Sequence, residues 1–156
     1  MLMSFYQHYA RRRKHPLGAW VHRRQARKLA DLVGLSVIHS GHIVEIGPGD
    51  GYFGEICLQT GFRYTAVEAS PEVANQLRER GMDFRSSFVP PIPMETGSAD
   101  ACCLFHVLEH MVDATHVDRL IKETRRILKP GGILVMVCPN YYTWGRDFFE
   151  ADYTHN

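Results

Sequence analysis

The chain has 156 residues, 45% hydrophobic and 22% charged, the balance of one soluble globular domain rather than of a collagen, a coiled coil or a disordered polymer. Its formal charge of +1 hides a split: Arg11, Arg12, Arg13, Lys14, Arg23, Arg24, Arg27 and Lys28 stand in the first 28 residues with no acid, and the remainder holds ten basic residues against all seventeen acidic ones. The split predicts a basic helical arm over residues 1–38 and an acidic domain over 39–156. No apolar run approaches the roughly 20 residues that span a bilayer. The early charges follow a short mixed segment, the reverse of a secretory leader. Cys57, Cys102, Cys103 and Cys138 lack metal-type pairing. They read as small buried apolar groups in a reducing compartment, so a cytoplasmic location is expected.

In chain order, residues 16–33 predict a helix with Pro16 near its start and an apolar stripe of Ala19, Trp20, Ala26, Leu29, Ala30 and Val33. A short strand follows at His42–Ile46, then a glycine-rich turn at Gly47–Gly51 and a helix to about Gln59. Arg63–Glu68 is a second strand. Ser70 caps the next helix with Pro71 at its first position, and Gly81 stops it. Met82–Ser86 is a short strand and Phe88–Pro93 a proline-rich loop. Ala99–Phe105 is continuously apolar but for Asp100, as a strand buried on both faces should be. A helix over Asp113–Leu128 closes at Lys129-Pro130-Gly131-Gly132, and Ile133–Val137 is the fifth strand. The tail 139–156 is aromatic and irregular. This alternation predicts an α/β, Rossmann-like open sheet, mostly parallel, with helices on both faces and ligands at the carboxyl ends of the strands.

The chemistry centres on Val44-Glu45-Ile46-Gly47-Pro48-Gly49-Asp50-Gly51. Glycines let the backbone bend and let a ligand approach without meeting a Cβ, and the next helix offers its free amides. Glu68 ends the second strand about twenty residues on, where an acid takes ribose hydroxyls. Gly49-Asp50-Gly51-Tyr52-Phe53-Gly54 spells the dinucleotide fingerprint, which keeps an NAD-dependent oxidoreductase as a rival. Counted from the strand's end at Gly47, however, the third glycine comes one place early. Glu45 also puts a carboxylate where a pyrophosphate would be repelled and an ammonium attracted. Acid, glycine turn and ribose acid together suit S-adenosylmethionine.

The segment Glu45 to Gly51 resembles the first motif of class I S-adenosylmethionine-dependent methyltransferases. Ala66-Val67-Glu68-Ala69-Ser70 is similar to the second-strand motif, and Asp100–Phe105 with His106-Val107-Leu108-Glu109-His110 to the fourth. Arg126 to Leu134 is similar to the fifth-strand signature, with Cys138-Pro139-Asn140 after it. The nearest likeness is to the branch with quinone-biosynthesis methyltransferases. It implies that Gly47, Pro48, Gly49 and Gly51 line the methionine end, that Glu45 supports the amine and that Glu68, with Ala69 beside it, holds the ribose. Phe105 and His106 would face the methyl group. The family's adenine-binding acid after the third strand is missing, so Ser87 or Phe88 takes its place. His106 and His110 are candidate bases for an acceptor that must lose a proton. The family's two further strands after the fifth have no counterpart before residue 156. The resemblance therefore implies a fragment or a shortened member, with an exposed fifth-strand edge open to a second subunit.

Further readings compete. His106, Glu109 and His110 would share one face of a helix, and with His155 they resemble the metal site of RNA 3′-terminal methyltransferases. The basic arm suits nucleic acid, an anionic membrane surface or an anionic small-molecule acceptor, each with salt-sensitive affinity. The aromatic tail (Tyr141, Tyr142, Trp144, Phe148, Phe149, Tyr153) either roofs an acceptor pocket or simply packs. An inactive cofactor-binding or interaction module is the remaining rival.

Overall fold

The strand His42–Ile46 (β1) is buried at all five positions, so it lies inside a sheet covered on both faces. The computed structural model describes residues 16–34 and 40–140. Within them β1 is joined by β2 (Arg63–Glu68), β3 (Asp83–Ser86), β4 (Ala99–Phe105) and β5 (Leu128–Val137) in one parallel sheet of order β3-β2-β1-β4-β5. Side-chain alternation divides its core. Ile43, Tyr64, Ala66, Ala101 and Cys103 face α1 (Pro16–Val33), α2 (Tyr52–Gln59) and α3 (Pro71–Glu79). Val44, Ile46, Val67, Cys102 and Leu104 face α4 (Ala114–Ile127), which brings Leu120 and Ile127. Each buried valine, leucine or isoleucine among them contributes roughly 1.5–3 kcal/mol by leaving water.

Helix starts follow the predicted chemistry. Ser70 Oγ accepts from the Val73 amide with Pro71 at the first position, and Asp113 accepts from the His116 amide. Four details depart from the sequence expectation. Trp20 is exposed, with Arg24 lying 5.6 Å from its ring centroid. At 3.6 residues per turn it falls outside the sector of Ala26, Ala30 and Val33, which do pack. Those three residues join the main core, so over these residues the expected arm is part of the domain. α4 ends at Ile127 and β5 begins at Leu128, five residues before the expected Ile133. A residue preceding proline disfavours helix, which moves Lys129 into extended backbone. Residues 129–132 then bulge out between the pairs Ala99–Leu128 and Ala101–Ile133, with Gly131 at φ +80°. Finally, Cys57, Cys102 and Cys103 are buried, but Cys138 is exposed where the chain leaves β5.

No described helix is long and apolar enough to cross a membrane. β3 and β5 are the two edges of the sheet over the described residues.

Candidate active site

The carboxyl ends of β1, β2 and β4 open into one cleft of about 590 Å³. β1 delivers the glycine turn. Gly47, Gly49 and Gly51 all hold positive φ, and Gly51 bonds back to the Pro48 carbonyl at 2.9 Å. Open space lies where a Cβ of Gly49 would stand, so a ligand can reach the backbone there. A Cβ on Gly51 would instead meet Leu77 at 2.8 Å, so that glycine is needed by the packing of α3. Glu45, Gly47, Pro48, Gly49, Gly51, Glu68, Ala69, Ser87, Phe88, Phe105, His106, Glu109 and His110 all line the cleft. His155 and the aromatic tail lie outside the described residues.

Each acid is held differently. Glu45 is 3% exposed and accepts a hydrogen bond from the Tyr64 hydroxyl. Burial pushes its carboxyl up to about 7, Tyr64 opposes the rise, and the charge of Glu68 adds to it. Glu68, 7% exposed, takes the Ser70 amide at 2.7 Å; burial raises its carboxyl and the amides of Ser70 and Ala69 lower it. At the end of β4 the backbone of His106 turns to φ 58°, and its amide donates to the Val137 carbonyl at 2.7 Å. That turn leaves the imidazole exposed and its Nδ1 3.2 Å from Glu109 Oε1. Burial alone would raise the Glu109 carboxyl, but the His106 hydrogen bond and its own amide hold it down. Its Oε2 is buried without a hydrogen-bond partner among the described residues. Ser87 donates its hydroxyl to the Phe88 carbonyl, and the Phe88 ring is exposed at the cleft mouth. The Phe105 ring meets Phe53 edge-on at 5.1 Å on the inner wall.

The segment after His106 is a short 3-10 turn, Leu108–His110, rather than the α-helix that would set His106, Glu109 and His110 on one face. Among the described residues no three His, Cys, Asp or Glu side chains gather as a metal ion needs.

Sequence reasoning missed the contribution of α1. His22, Gln25, Ala26 and Leu29 line the cleft, and His22 Nδ1 lies 2.8 Å from Asp50 Oδ2 in the glycine turn. Arg80 joins the same turn through the Asp50 carbonyl and Glu55, and it stacks with Arg23 about Tyr52. The apolar stripe of α1 was visible; which element it covers is a tertiary fact.

Residues 44–136 match the methyltransferase-domain family. The ubiquinone biosynthesis O-methyltransferase of Xanthomonas oryzae pv. oryzae is 33% identical over 101 residues, 60% of this chain and 41% of that protein. The chain thus spans about two fifths of the length of the curated relatives it matches first. A methyltransferase of Archaeoglobus fulgidus shares the fold, with a TM-score of 0.73 at 19% identity over 86% of this chain and 61% of that one. The cyclase SpnF does so with a TM-score of 0.58 at 28% identity over 69% of this chain and 43% of its own. The family match runs from β1 to β5 and so takes in the glycine turn, Glu68 and His106 together: the chain belongs to the methyltransferase-domain family.

Proposed function

We propose that the chain binds S-adenosylmethionine in this cleft and that its methyl group passes to a small-molecule acceptor. One observation carries the reading. The cleft is lined by Glu45, Asp50, Glu68 and Glu109 and, among its described residues, by no lysine or arginine. Such a wall repels a pyrophosphate and attracts an ammonium and a sulfonium. This weighs against a nicotinamide dinucleotide. The open backbone at Gly49 and the carboxylate of Glu68, fixed by the Ser70 amide, fit the nucleoside amino acid.

When bound, S-adenosylmethionine supplies an electrophilic methyl group on a cationic sulfur. Gly47, Pro48, Gly49 and Gly51 would line the methionine end, and Glu45 would face its ammonium. Glu68 and Ala69 would take the ribose, with Ser87 and Phe88 beside the base. Phe105 would close the inner wall next to the reacting centre. In-line displacement gains much of its rate from such positioning. A hydroxyl acceptor must also lose a proton. An Nδ1–H donated to Glu109 would leave Nε2 of His106 to accept that proton. His110, half-buried on the same wall, is the second candidate. The exposed Phe88 and Val112 give the mouth an apolar rim that suits an acceptor with an apolar body. The Xanthomonas relative, named as an O-methyltransferase, supports a hydroxyl as the acceptor group.

The test is methyl-labelled S-adenosylmethionine offered with a panel of phenolic acceptors. Acceptor-dependent label transfer that His106→Ala abolishes, with affinity for S-adenosylhomocysteine kept, is the expected result. Tight binding with no transfer to any acceptor would favour a binding module, and the cyclase neighbour is a reminder that fold does not fix reaction.

A further inference from the structure

Glu45 is a carboxylate set into an apolar layer. On β1 it pairs in register with Ala66 and Cys103, and its ring-bearing neighbour is Tyr64 of β2. The Tyr64 ring is closely packed on the side of α2. It fills the space beneath α2 that Gly54 leaves, where an added Cβ would come within 2.6 Å of the ring. Tyr64 is 2% exposed, so its hydroxyl needs a buried partner, and that partner is Glu45 Oε2.

We infer that Tyr64 is the positioning residue of the ammonium site: its hydroxyl holds the Glu45 carboxylate at the cleft wall in the form that receives a cation. The inference rests on the reading that the cleft takes S-adenosylmethionine. Groups facing Glu45 are Tyr64 and Glu68 from β2, Cys103 from β4 and Cys57 from α2, while His22 of α1 lines the same cleft and pairs with Asp50. Burial and the charge of Glu45 keep the two thiols protonated, and burial also holds Tyr64 protonated, so Tyr64 is a donor throughout the neutral range. Glu45 is the group that changes. With its carboxyl raised to about 7, the protein without ligand carries Glu45 partly as the neutral acid at neutral pH. A bound ammonium then favours the carboxylate, and the proton passes to the buffer. Affinity therefore follows the ionised fraction of Glu45 and falls about fivefold between pH 7 and pH 6.

The probe is S-adenosylhomocysteine, with 5′-methylthioadenosine, which lacks the amino acid, as control. Affinities are measured by calorimetry from pH 5.5 to 7.5, below the range where an α-amine loses its proton. Wild-type affinity for S-adenosylhomocysteine should rise with pH and that for the control stay flat. Tyr64→Phe keeps the ring and removes one donor; its profile should move up by about one pH unit, lowering affinity at pH 7 about fivefold. A merely structural tyrosine would leave the midpoint where it was, and that result would overturn the inference. If Tyr64→Phe does not fold, proton release on binding by wild type and by Glu45→Gln decides. Binding at pH 6.5 in two buffers of different ionisation enthalpy should release a proton, and Glu45→Gln should release none. Equal release in both proteins overturns the inference. Absence of any wild-type binding to S-adenosylhomocysteine would instead overturn the cofactor reading beneath it.

Discussion

Replacing Glu45 by glutamine should stabilise the ligand-free protein in alkaline solution while it damages the site. In the fold the Glu45 carboxyl is raised from 4.5 to about 7 by burial, Tyr64 notwithstanding. Between those values the folded chain binds more protons than the unfolded one, so stability is greatest in acid and is lost as pH rises through 7. A rise of this size corresponds to about 3 kcal/mol lost between pH 4.5 and pH 8.5. Glutamine does not titrate, and its amide oxygen still accepts from the Tyr64 hydroxyl. The stability of the variant relative to the wild type should therefore grow by about 2.5 kcal/mol from pH 5 to pH 8.5. In a chain of this length that is roughly 5–10 °C of melting temperature. Urea unfolding of both proteins at pH 5, 6, 7 and 8.5 reads the difference directly. A stability gap that stays constant across that range would refute the reasoning, because Glu45 would then titrate alike in the folded and unfolded chains.

Other expectations follow from the same geometry. Glu68→Gln keeps an acceptor for the Ser70 amide, so calorimetry should find the fold intact and S-adenosylhomocysteine bound about tenfold or more weakly; unchanged affinity would remove the ribose role. Gly54→Ala drives a Cβ into the Tyr64 ring and should cost about 1–3 kcal/mol in chemical denaturation, whereas a neutral effect would mean that the ring has room. His106→Gly relieves a positive φ worth about 1 kcal/mol, so the melting temperature should rise slightly as transfer activity is lost. Burial is the main cause that lowers the His42 imidazole below its usual 6.5, with Ser98 opposing. His42 therefore contributes stability that is lost as pH falls below 6.5, and an NMR titration midpoint at or above 6.5 would contradict this.

Much of this arrangement was legible in the residues, for local reasons. β1 and β4 are legible because a strand covered on both faces reads as a short, mostly apolar run, while Gly47 closes β1 and Ser70-Pro71 opens the helix after β2. The glycine turn and Glu68 were found because their spacing is fixed by one strand–helix–strand unit. What escaped depends on contacts between distant segments. Tyr64 and Glu45 are nineteen residues apart and meet only through the register of β1 on β2. His22 reaches Asp50 only because α1 folds over α2. The bulge that starts β5 early is set by pairing with Ala99 and Ala101, which no local pattern announces. The 3-10 turn at Leu108–His110 follows from the left-handed backbone of His106, a conformation that histidine's sequence context does not advertise.

On the proposed reading, the acidic, glycine-floored cleft takes a cationic nucleoside amino acid. Calorimetry with S-adenosylhomocysteine and with NAD, on wild type and Glu68→Gln, tests it most directly. One molecule of S-adenosylhomocysteine should bind per chain, more weakly in Glu68→Gln, and NAD should not bind. Tight NAD binding, or S-adenosylhomocysteine binding indifferent to Glu68, would contradict it.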